Sequence, residues 1–356
     1  MYQPKFTISN DILANIGLIE AAREVVKNAP LIPVYETRFV KDALVRTVHH
    51  GTHLEGNDLS LAEAKKIIEG ENILAGKRDV QEVINYRNVL KYIDSLEREI
   101  KDGLQYNQTL LKKINQLVCD RIVPEGQVGF YRQGQVVLKD ENTDEVVFRP
   151  PTAVEVPYLV EDYFDWLNSH EAKKLHPVLR AGISHYYIVA VHPFAEGNGR
   201  TARAFATLVL FTENYDIKKF FSLEEYFDKD AARYYAALTR ADQQNINLAY
   251  RDLTFWLEYF SQAMAVELTR IKEQIKRLSL DVKIKSRVGL QIPLNERQIK
   301  LVEYLEENGS ISTAEGRKIA AEYSDDTLVR DFNYFVGKGL VRKKGRTKAA
   351  RYVLKQ

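Results

Sequence analysis

Cysteine occurs once in 356 residues, at Cys119, so no disulfide forms within the chain and a disulfide-stapled scaffold is excluded. That scarcity fits a reducing compartment. An excess of one charge is also missing: 51 Lys and Arg offset 49 Asp and Glu, a formal net charge of +2. The chain as a whole is therefore no electrostatic trap for nucleic acid. No apolar run approaches the roughly 20 residues a membrane helix needs, and Met1-Tyr2-Gln3-Pro4-Lys5-Phe6 has no apolar leader core. The expectation is a soluble, cytoplasmic protein without a membrane partner. Internal repeats and low-complexity tracts are lacking too, and the length predicts two or three domains with ample core.

What is present is concentrated in one line, His192-Pro193-Phe194-Ala195-Glu196-Gly197-Asn198-Gly199-Arg200-Thr201-Ala202-Arg203. Leu179, Ile183, Tyr186 and Ala190 share a helical face, so His192 is expected at a helix end, with the next helix starting near Asn198 to Arg200. Gly197 and Gly199 flank Asn198 and let backbone N–H groups converge on an anion, helped by the positive end of the following helix. Glu196 beside an anion cradle requires a divalent cation between the two, as Mg²⁺ supplies in nucleotide sites. Arg200 and Arg203, three apart, offer planar forks to phosphate oxygens. His192, with a pKa near neutrality, suits proton removal from an attacking hydroxyl. Taken singly, each residue has a plainer reading as a surface histidine, a helix-boundary glycine or a solvated arginine; the joint spacing argues for phosphate chemistry.

This segment resembles the Fic family signature His-x-Phe-x-(Asp/Glu)-Gly-Asn-Gly-Arg-x-x-Arg, with every fixed position filled. The resemblance implies that His192 is the general base, Glu196 holds Mg²⁺, Gly197, Asn198 and Gly199 form the phosphate cradle, and Arg200 and Arg203 grip the phosphates. It implies transfer of AMP from ATP to a Ser, Thr or Tyr hydroxyl of a target protein; modification of the chain itself stays open. Positioning and charge neutralisation would then supply most of the rate.

Upstream, Arg38 to Glu55 reads as an amphipathic helix and Ser60-Leu61-Ala62-Glu63 as a capping box opening another. Leu54-Glu55-Gly56-Asn57 between them resembles the family's inhibitory segment, (Ser/Thr)-x-x-x-Glu-(Gly/Asn), which implies that Glu55 pairs with Arg203 and blocks productive ATP. Gly51 stands where Ser or Thr is usual, with Thr52 one place later, which predicts a less firmly held helix. His49, His50 and His53 lack a third-ligand pattern and read as packing or exposed histidines rather than zinc ligands. Gly134 to Leu138 and Glu145 to Phe148 read as a β-hairpin around the turn Lys139 to Asp144. By resemblance, the hairpin spanning 134–148 is the flap that aligns a target segment by strand addition. Tyr234 and Tyr235 fall where the family contacts adenosine, with the core as their alternative place; Asp230 stands where Asn is common.

From Pro293 onward, three helices (Glu296 to Glu307, Thr313 to Ala321, Ser324 to Lys338) and the strands Leu340-Val341-Arg342 and Arg351 to Leu354 resemble a winged helix-turn-helix domain. Lys338, Arg342, Lys343, Lys344, Arg346, Lys348, Arg351 and Lys355 make the end cationic, whereas Asp325 and Asp326 open the third helix. DNA binding through 293–356 and protein docking stay open. The expected fold is mainly α, divided into an N-terminal helical region with the inhibitory helix (1–101), a Fic core with a flap (102–265), a helical connector (266–292) and the winged-helix domain (293–356). The expected function is Mg²⁺-dependent protein adenylyltransferase, with ATP as co-substrate, restrained by Glu55. Its alternatives are a hydrolase that uses Glu55 to remove AMP, transfer from a different phosphate-containing donor, and a DNA-binding regulator that senses nucleotide.

Overall fold

The computed structural model describes residues 2–29, 33–101, 103–139, 146–215, 217–288, 294–345 and 350–355. The chain divides into two compact units: Met1–Asn28 with Ile32–Ile271, and Ala29–Leu31 with Lys272–Gln356. No helix among the described residues is long and apolar enough to cross a membrane.

The first unit is built around two consecutive helices, Pro177–Val191 and Asn198–Thr212. Pro177 at the first turn and the His176 side chain, which accepts from the Val178 N–H, start the former. It is apolar nearly all round, and Val178, Leu179, Ala181, Ile183, Ile188, Ala190 and Val191 are all buried. Such a helix is stable only at a centre. Several of its polar groups are paired: Ser184 Oγ donates to the Arg180 carbonyl, Arg180 pairs with Glu213, and the Gly182 carbonyl accepts from Trp256 Nε1 at 2.7 Å. Helices Pro33–His53, Lys77–Ser95, Gln108–Cys119 and Val156–Asn168 also contribute to this unit. The Ser60/Glu63 capping box forms as expected, opening Leu61–Glu69, which Gly70 closes in the left-handed region at φ 92°.

Two differences from the sequence reading bear on function. The expected helix Arg38 to Glu55 runs Pro33–His53, and Glu55 lies in the turn beyond it. Gly56, at φ 89°, donates to the His53 carbonyl and ends the helix before the glutamate. The hairpin is shorter than expected: Leu138–Lys139 pairs antiparallel with Val146–Phe148 in an irregular register. Glu145 and most of the turn Lys139 to Asp144 lie outside the described residues.

Helix Thr254–Val288 contributes its residues up to Ile271 to the first unit and those from Lys272 to the second. In the second unit, Asn295 and Gln298 form a capping box on Glu296–Asn308, and Ser312 and Glu315 form another on Thr313–Ile319. Helix Asp325–Gly337 follows. Strands Ser310–Ser312, Arg351–Leu354 and Val341–Lys344 lie in that order in one antiparallel sheet. The strand Ser310–Ser312 was not expected; three residues carry no periodicity, and its pairing is with residues some forty positions away. Leu301, Leu305, Ile311, Phe332 and Tyr352 form the core, with Phe332 and Tyr352 stacked at 4.4 Å. Arg342, Lys343 and Lys344 are exposed on their strand, while Arg351 pairs with Glu315 at 2.9 Å. Arg346 and Lys348 lie outside the described residues.

Candidate active site

The loop His192 to Gly197 joins the two central helices. His192 takes the left-handed conformation (φ 50°, ψ 59°) and caps the first helix through its N–H to the Ile188 carbonyl. A non-glycine residue there is strained, and here the strain sets where the imidazole goes. Its Nδ1 lies 3.3 Å from the Val189 carbonyl, which can only accept, so Nδ1 carries the proton and Nε2 keeps its lone pair. Burial pushes the imidazole pKa down to about 4, so the ring is neutral at neutral pH. A neutral imidazole with a free Nε2 is able to take a proton from a hydroxyl.

Buried anchors hold the loop rigid. Phe194 is 1% exposed, and Asn198 braces it twice: the Phe194 N–H donates to Asn198 Oδ1 and Asn198 Nδ2 donates to the Phe194 carbonyl, both at 2.9 Å. The Asn198 side chain is thus consumed by the loop, leaving its backbone N–H for an anion. Asn115, buried on Gln108–Cys119, donates to the Glu196 carbonyl at 3.0 Å and to Thr201 Oγ1 at 3.2 Å. Cys119 donates to the same carbonyl at 3.4 Å, and burial pushes its thiol up to about 12, away from thiolate chemistry.

The two glycines serve different ends. Gly197 has φ 73°, and a Cβ there would lie 2.7 Å from Cys119 Sγ and 2.8 Å from Val118 Cγ1, so its bareness is needed for packing. Gly197→Ala should lower stability by about 1–3 kcal/mol through overpacking and left-handed strain; a fall in the thermal unfolding midpoint checks it. Gly199, in contrast, faces the Glu55 carboxylate, and a Cβ there would overlap Glu55 Oε1. No side chain caps the helix that Gly197 opens. A carboxylate therefore lies against the uncapped first turn, where the helix favours an anion.

Glu55 Oε1 accepts from Arg203 Nη2 at 2.9 Å, and Oε2 lies 3.8 Å from Arg200 Nε. Both arginines are nearly fully buried. Burial alone would raise the Glu55 pKa; Arg203 and then Arg200 outweigh it and hold the carboxyl below the ordinary range. The pair is therefore intact at neutral pH and weakens only as pH falls through that depressed pKa. Arg200 also meets Glu82 at 3.2 Å and Glu196 at 3.1 Å. Arg200 Nε and Arg203 Nε have no hydrogen-bond acceptor among the described residues. Buried guanidinium donors without acceptors are costly, and phosphate oxygens would satisfy them.

Gly51 lies inside the helix Pro33–His53, packed against its neighbours. A Cβ there would overlap the Tyr86 ring, and the Gly51 carbonyl accepts from Arg203 Nη2 at 2.8 Å. The hydroxyl of Thr52 is spent on the Val48 and His49 carbonyls. His50 and His53 both reach Asp228, at 2.7 and 2.8 Å, and no group of three or more His, Cys, Asp or Glu side chains arranged to hold a metal occurs among the described residues.

Residues 105–210 match the Fic/DOC family. The chain carries a Fic/DOC-family domain. It is 30% identical over 201 residues to the protein adenylyltransferase Fic of Drosophila willistoni and 27% identical over 214 residues to that of Nematostella vectensis. These alignments cover 53% and 59% of this chain but 37% and 48% of the relatives, so the chain spans less than half their length. In fold it is similar to a Fic family protein from Desulfovibrio desulfuricans G20, with TM-score 0.64, 23% identity and coverage of 99% and 98% of the two chains. A Fic-domain-containing signaling protein from Bacteroides thetaiotaomicron VPI-5482 gives TM-score 0.63 at 21% identity, covering 75% and 97%.

Within the Fic domain and the helices packed on it, the structure brings His192, Glu196, Gly199, Arg200, Arg203 and Glu55 into one neighbourhood. Tyr234 borders it from the core: the ring is 1% exposed, stacks on Phe227 and meets His185 Nε2 through its hydroxyl at 3.1 Å, and Arg203 and Glu55 act on that hydroxyl. Tyr235 is half-exposed, and its hydroxyl donates to the Leu54 carbonyl at 2.9 Å, beside Glu55. Sequence reasoning missed Glu82, whose Oε2 accepts from Asn57 while Oε1 faces Arg78 and Arg200. Its signal was available, since Glu82, Tyr86, Val89 and Ile93 fall on one helical face. Arg132 was also missed: its guanidinium donates to the His192 carbonyl at 2.8 Å, to the Gly134 carbonyl at 3.1 Å and to the Pro151 carbonyl, tying both ends of the hairpin to the histidine.

Proposed function

We propose that this chain is a Mg²⁺-dependent protein adenylyltransferase, moving AMP from ATP to a hydroxyl of a target protein, and that Glu55 holds it inactive. The observation that carries the reading is the Glu55 carboxylate lying on Gly199 and Arg203, an anion already in the place an anion is wanted. His192 Nε2 would accept the proton of the target hydroxyl as its oxygen attacks the α-phosphorus and pyrophosphate leaves. Arg200 and Arg203 would take phosphate oxygens, and the backbone N–H groups at Asn198 and Gly199 would complete the cradle.

The residues fit the metal. Mg²⁺ keeps several waters and binds through one or two carboxylates plus phosphate oxygens, so a single side chain suffices. Glu196, partly exposed with Arg200 at 3.1 Å and Arg78 at 3.5 Å, would hold it. Bound there, the ion would neutralise charge on the phosphates.

The paired strands Leu138–Lys139 and Val146–Phe148 would present an edge to an extended target segment, with Arg132 keeping that edge in register with His192. Arg132→Ala should leave ATP affinity within about twofold while cutting the rate of transfer about tenfold or more, because misplaced reactants lose effective molarity. Nucleotide titration beside single-turnover transfer separates the two effects. The reading as a whole is tested by mass spectrometry after incubation with ATP and Mg²⁺, comparing wild type, Glu55→Gly and His192→Ala. Modification enhanced in the first variant and abolished in the second supports it; no modification in any of the three sinks it.

A further inference from the structure

Four charged side chains beside the loop alternate in a closed ring. Glu82 Oε1 lies 3.1 Å from Arg78 Nε and 3.2 Å from Arg200 Nη1, while Glu196 Oε1 lies 3.1 Å from Arg200 Nη2 and 3.5 Å from Arg78 Nη2. Each of these two carboxylate oxygens is shared by the same pair of guanidinium groups. The four differ in freedom. The Arg200 and Glu82 side chains are 2% and 6% exposed, whereas those of Glu196 and Arg78 are 35% and 59% exposed. Glu82 is pinned further, because its Oε2 accepts from Asn57 Nδ2 at 3.0 Å. The ring therefore has a fixed inner edge, Glu82 with Arg200, and an outer edge of Arg78 and Glu196 that opens to solvent.

We propose that Arg78 is a third phosphate-binding arginine of this site, set at its mouth for the phosphates beyond the α-phosphate, and that Glu82 positions it. This role rests on the nucleotide reading above. Charge balance asks for such a group. Among the side chains that face one another here, Glu82 and Glu196 cancel Arg200 and Arg203 once Glu55 has withdrawn. ATP with one Mg²⁺ still carries net negative charge, and Arg78 supplies a cation to meet it.

Position and mobility agree with that role. Glu196 is the proposed metal ligand, so a phosphate oxygen sharing the metal would lie beside the carboxylate oxygen that Arg78 now faces. With Glu196 turned to the cation, Arg78 Nη2 would lose that partner while Nε stays on Glu82, leaving a guanidinium oriented on one edge and open on the other. An exposed ion pair is worth little, whereas a guanidinium fork on phosphate makes charge-assisted hydrogen bonds, so the exchange is favourable. Arg200 has no such freedom, being buried between both carboxylates.

The test is isothermal titration of the full chain carrying Glu55→Gly, with Mg²⁺ and an ATP analogue that has a methylene between its α- and β-phosphates, and with AMP as the shorter ligand. Adding Arg78→Ala should weaken the analogue about tenfold and AMP by less than about twofold, since the lost contact belongs to the outer phosphates. Arg78→Gln, which keeps most of the stem without the charge, should lose the analogue to the same degree. With Glu82→Gln already present, Arg78→Ala should cost less than about twofold, because an unpositioned arginine has little left to lose. Thermal unfolding confirms that each variant is folded. Unchanged analogue affinity in Arg78→Ala or Arg78→Gln, or an equal loss for AMP, overturns the role of Arg78. An undiminished loss in the Glu82→Gln background overturns positioning by Glu82. Failure of Glu55→Gly to bind the analogue with Arg78 intact fails the nucleotide reading itself, and the role of Arg78 with it.

Discussion

Glu55→Gly should raise the rate of AMP transfer at least about tenfold. A charge-assisted hydrogen bond is worth about 1.5–3 kcal/mol, and the Glu55–Arg203 contact is one such bond at 2.9 Å, made in the place proposed for a phosphate. Removing it lifts a competition that ATP must otherwise win. The same change should weaken the protein without nucleotide. Arg203 is nearly fully buried, and without Glu55 it keeps the Gly51 carbonyl but no ion pair among the described residues, so losing the carboxylate leaves a buried charge poorly compensated. Breaking a buried pair from one side costs about 3–5 kcal/mol. ATP with Mg²⁺ should then raise the unfolding midpoint of Glu55→Gly more than that of wild type, since ligand binding adds stability in proportion to occupancy. Labelled-AMP incorporation reads the first effect and thermal unfolding with and without nucleotide reads the second. A variant that is neither faster nor more responsive to ATP would refute the inhibitory assignment.

His192→Ala, made in the Glu55→Gly background, should reduce transfer by about 10²–10⁴, the range supplied by a positioned base. The pH profile adds a sharper criterion. Burial holds the imidazole pKa down at about 4, and Glu55 is among the groups that raise it, so removing Glu55 cannot push it upward. A base of that pKa stays unprotonated from neutrality to about pH 5, and the rate should fall only as pH approaches 4. An ordinary histidine, with pKa near 6.5, would already be losing activity between pH 7 and 6. Transfer measured from pH 4 to 8 distinguishes them; a midpoint near 6.5 would mean that His192 is solvated when it acts. Alanine at 192 must also take up the left-handed backbone, so His192→Asn, which tolerates that region, is the control for strain.

The central loop was legible because its chemistry is contiguous. A helix end, a histidine, an acid, two glycines and two arginines within twelve residues are local facts, and both flanking helices start and stop on local signals: Pro177, the His192 boundary and the uncapped turn at Gly197. Glu55 was legible only through a resemblance, since nothing in Leu54-Glu55-Gly56-Asn57 alone says which charge it meets across 148 positions. The contacts that tune the loop were not legible. Arg132 lies in an irregular segment with no periodicity and acts on carbonyls, which leave no mark in side-chain chemistry. Gly51 read as a missing hydroxyl, yet its role is to make room for Tyr86 and to lend a carbonyl to Arg203, both settled by packing between distant helices. The Asn198 side chain and the Tyr234 hydroxyl are committed to the protein's own loop and core, which leaves the Asn198 backbone N–H for the cradle. The second unit repeats the lesson: its helices followed from caps and periodicity, but Ser310–Ser312 became a strand only through a partner far along the chain.

Glu55 is proposed to stand where a nucleotide phosphate binds. A crystal structure of Glu55→Gly with a non-hydrolysable ATP analogue and Mg²⁺ tests it most directly. A phosphate oxygen should lie on Arg203 in the space the carboxylate vacates, with the metal at Glu196 and the α-phosphorus open to His192 Nε2. A nucleotide bound elsewhere, or phosphates that leave Arg203 untouched with Glu55 removed, would contradict it.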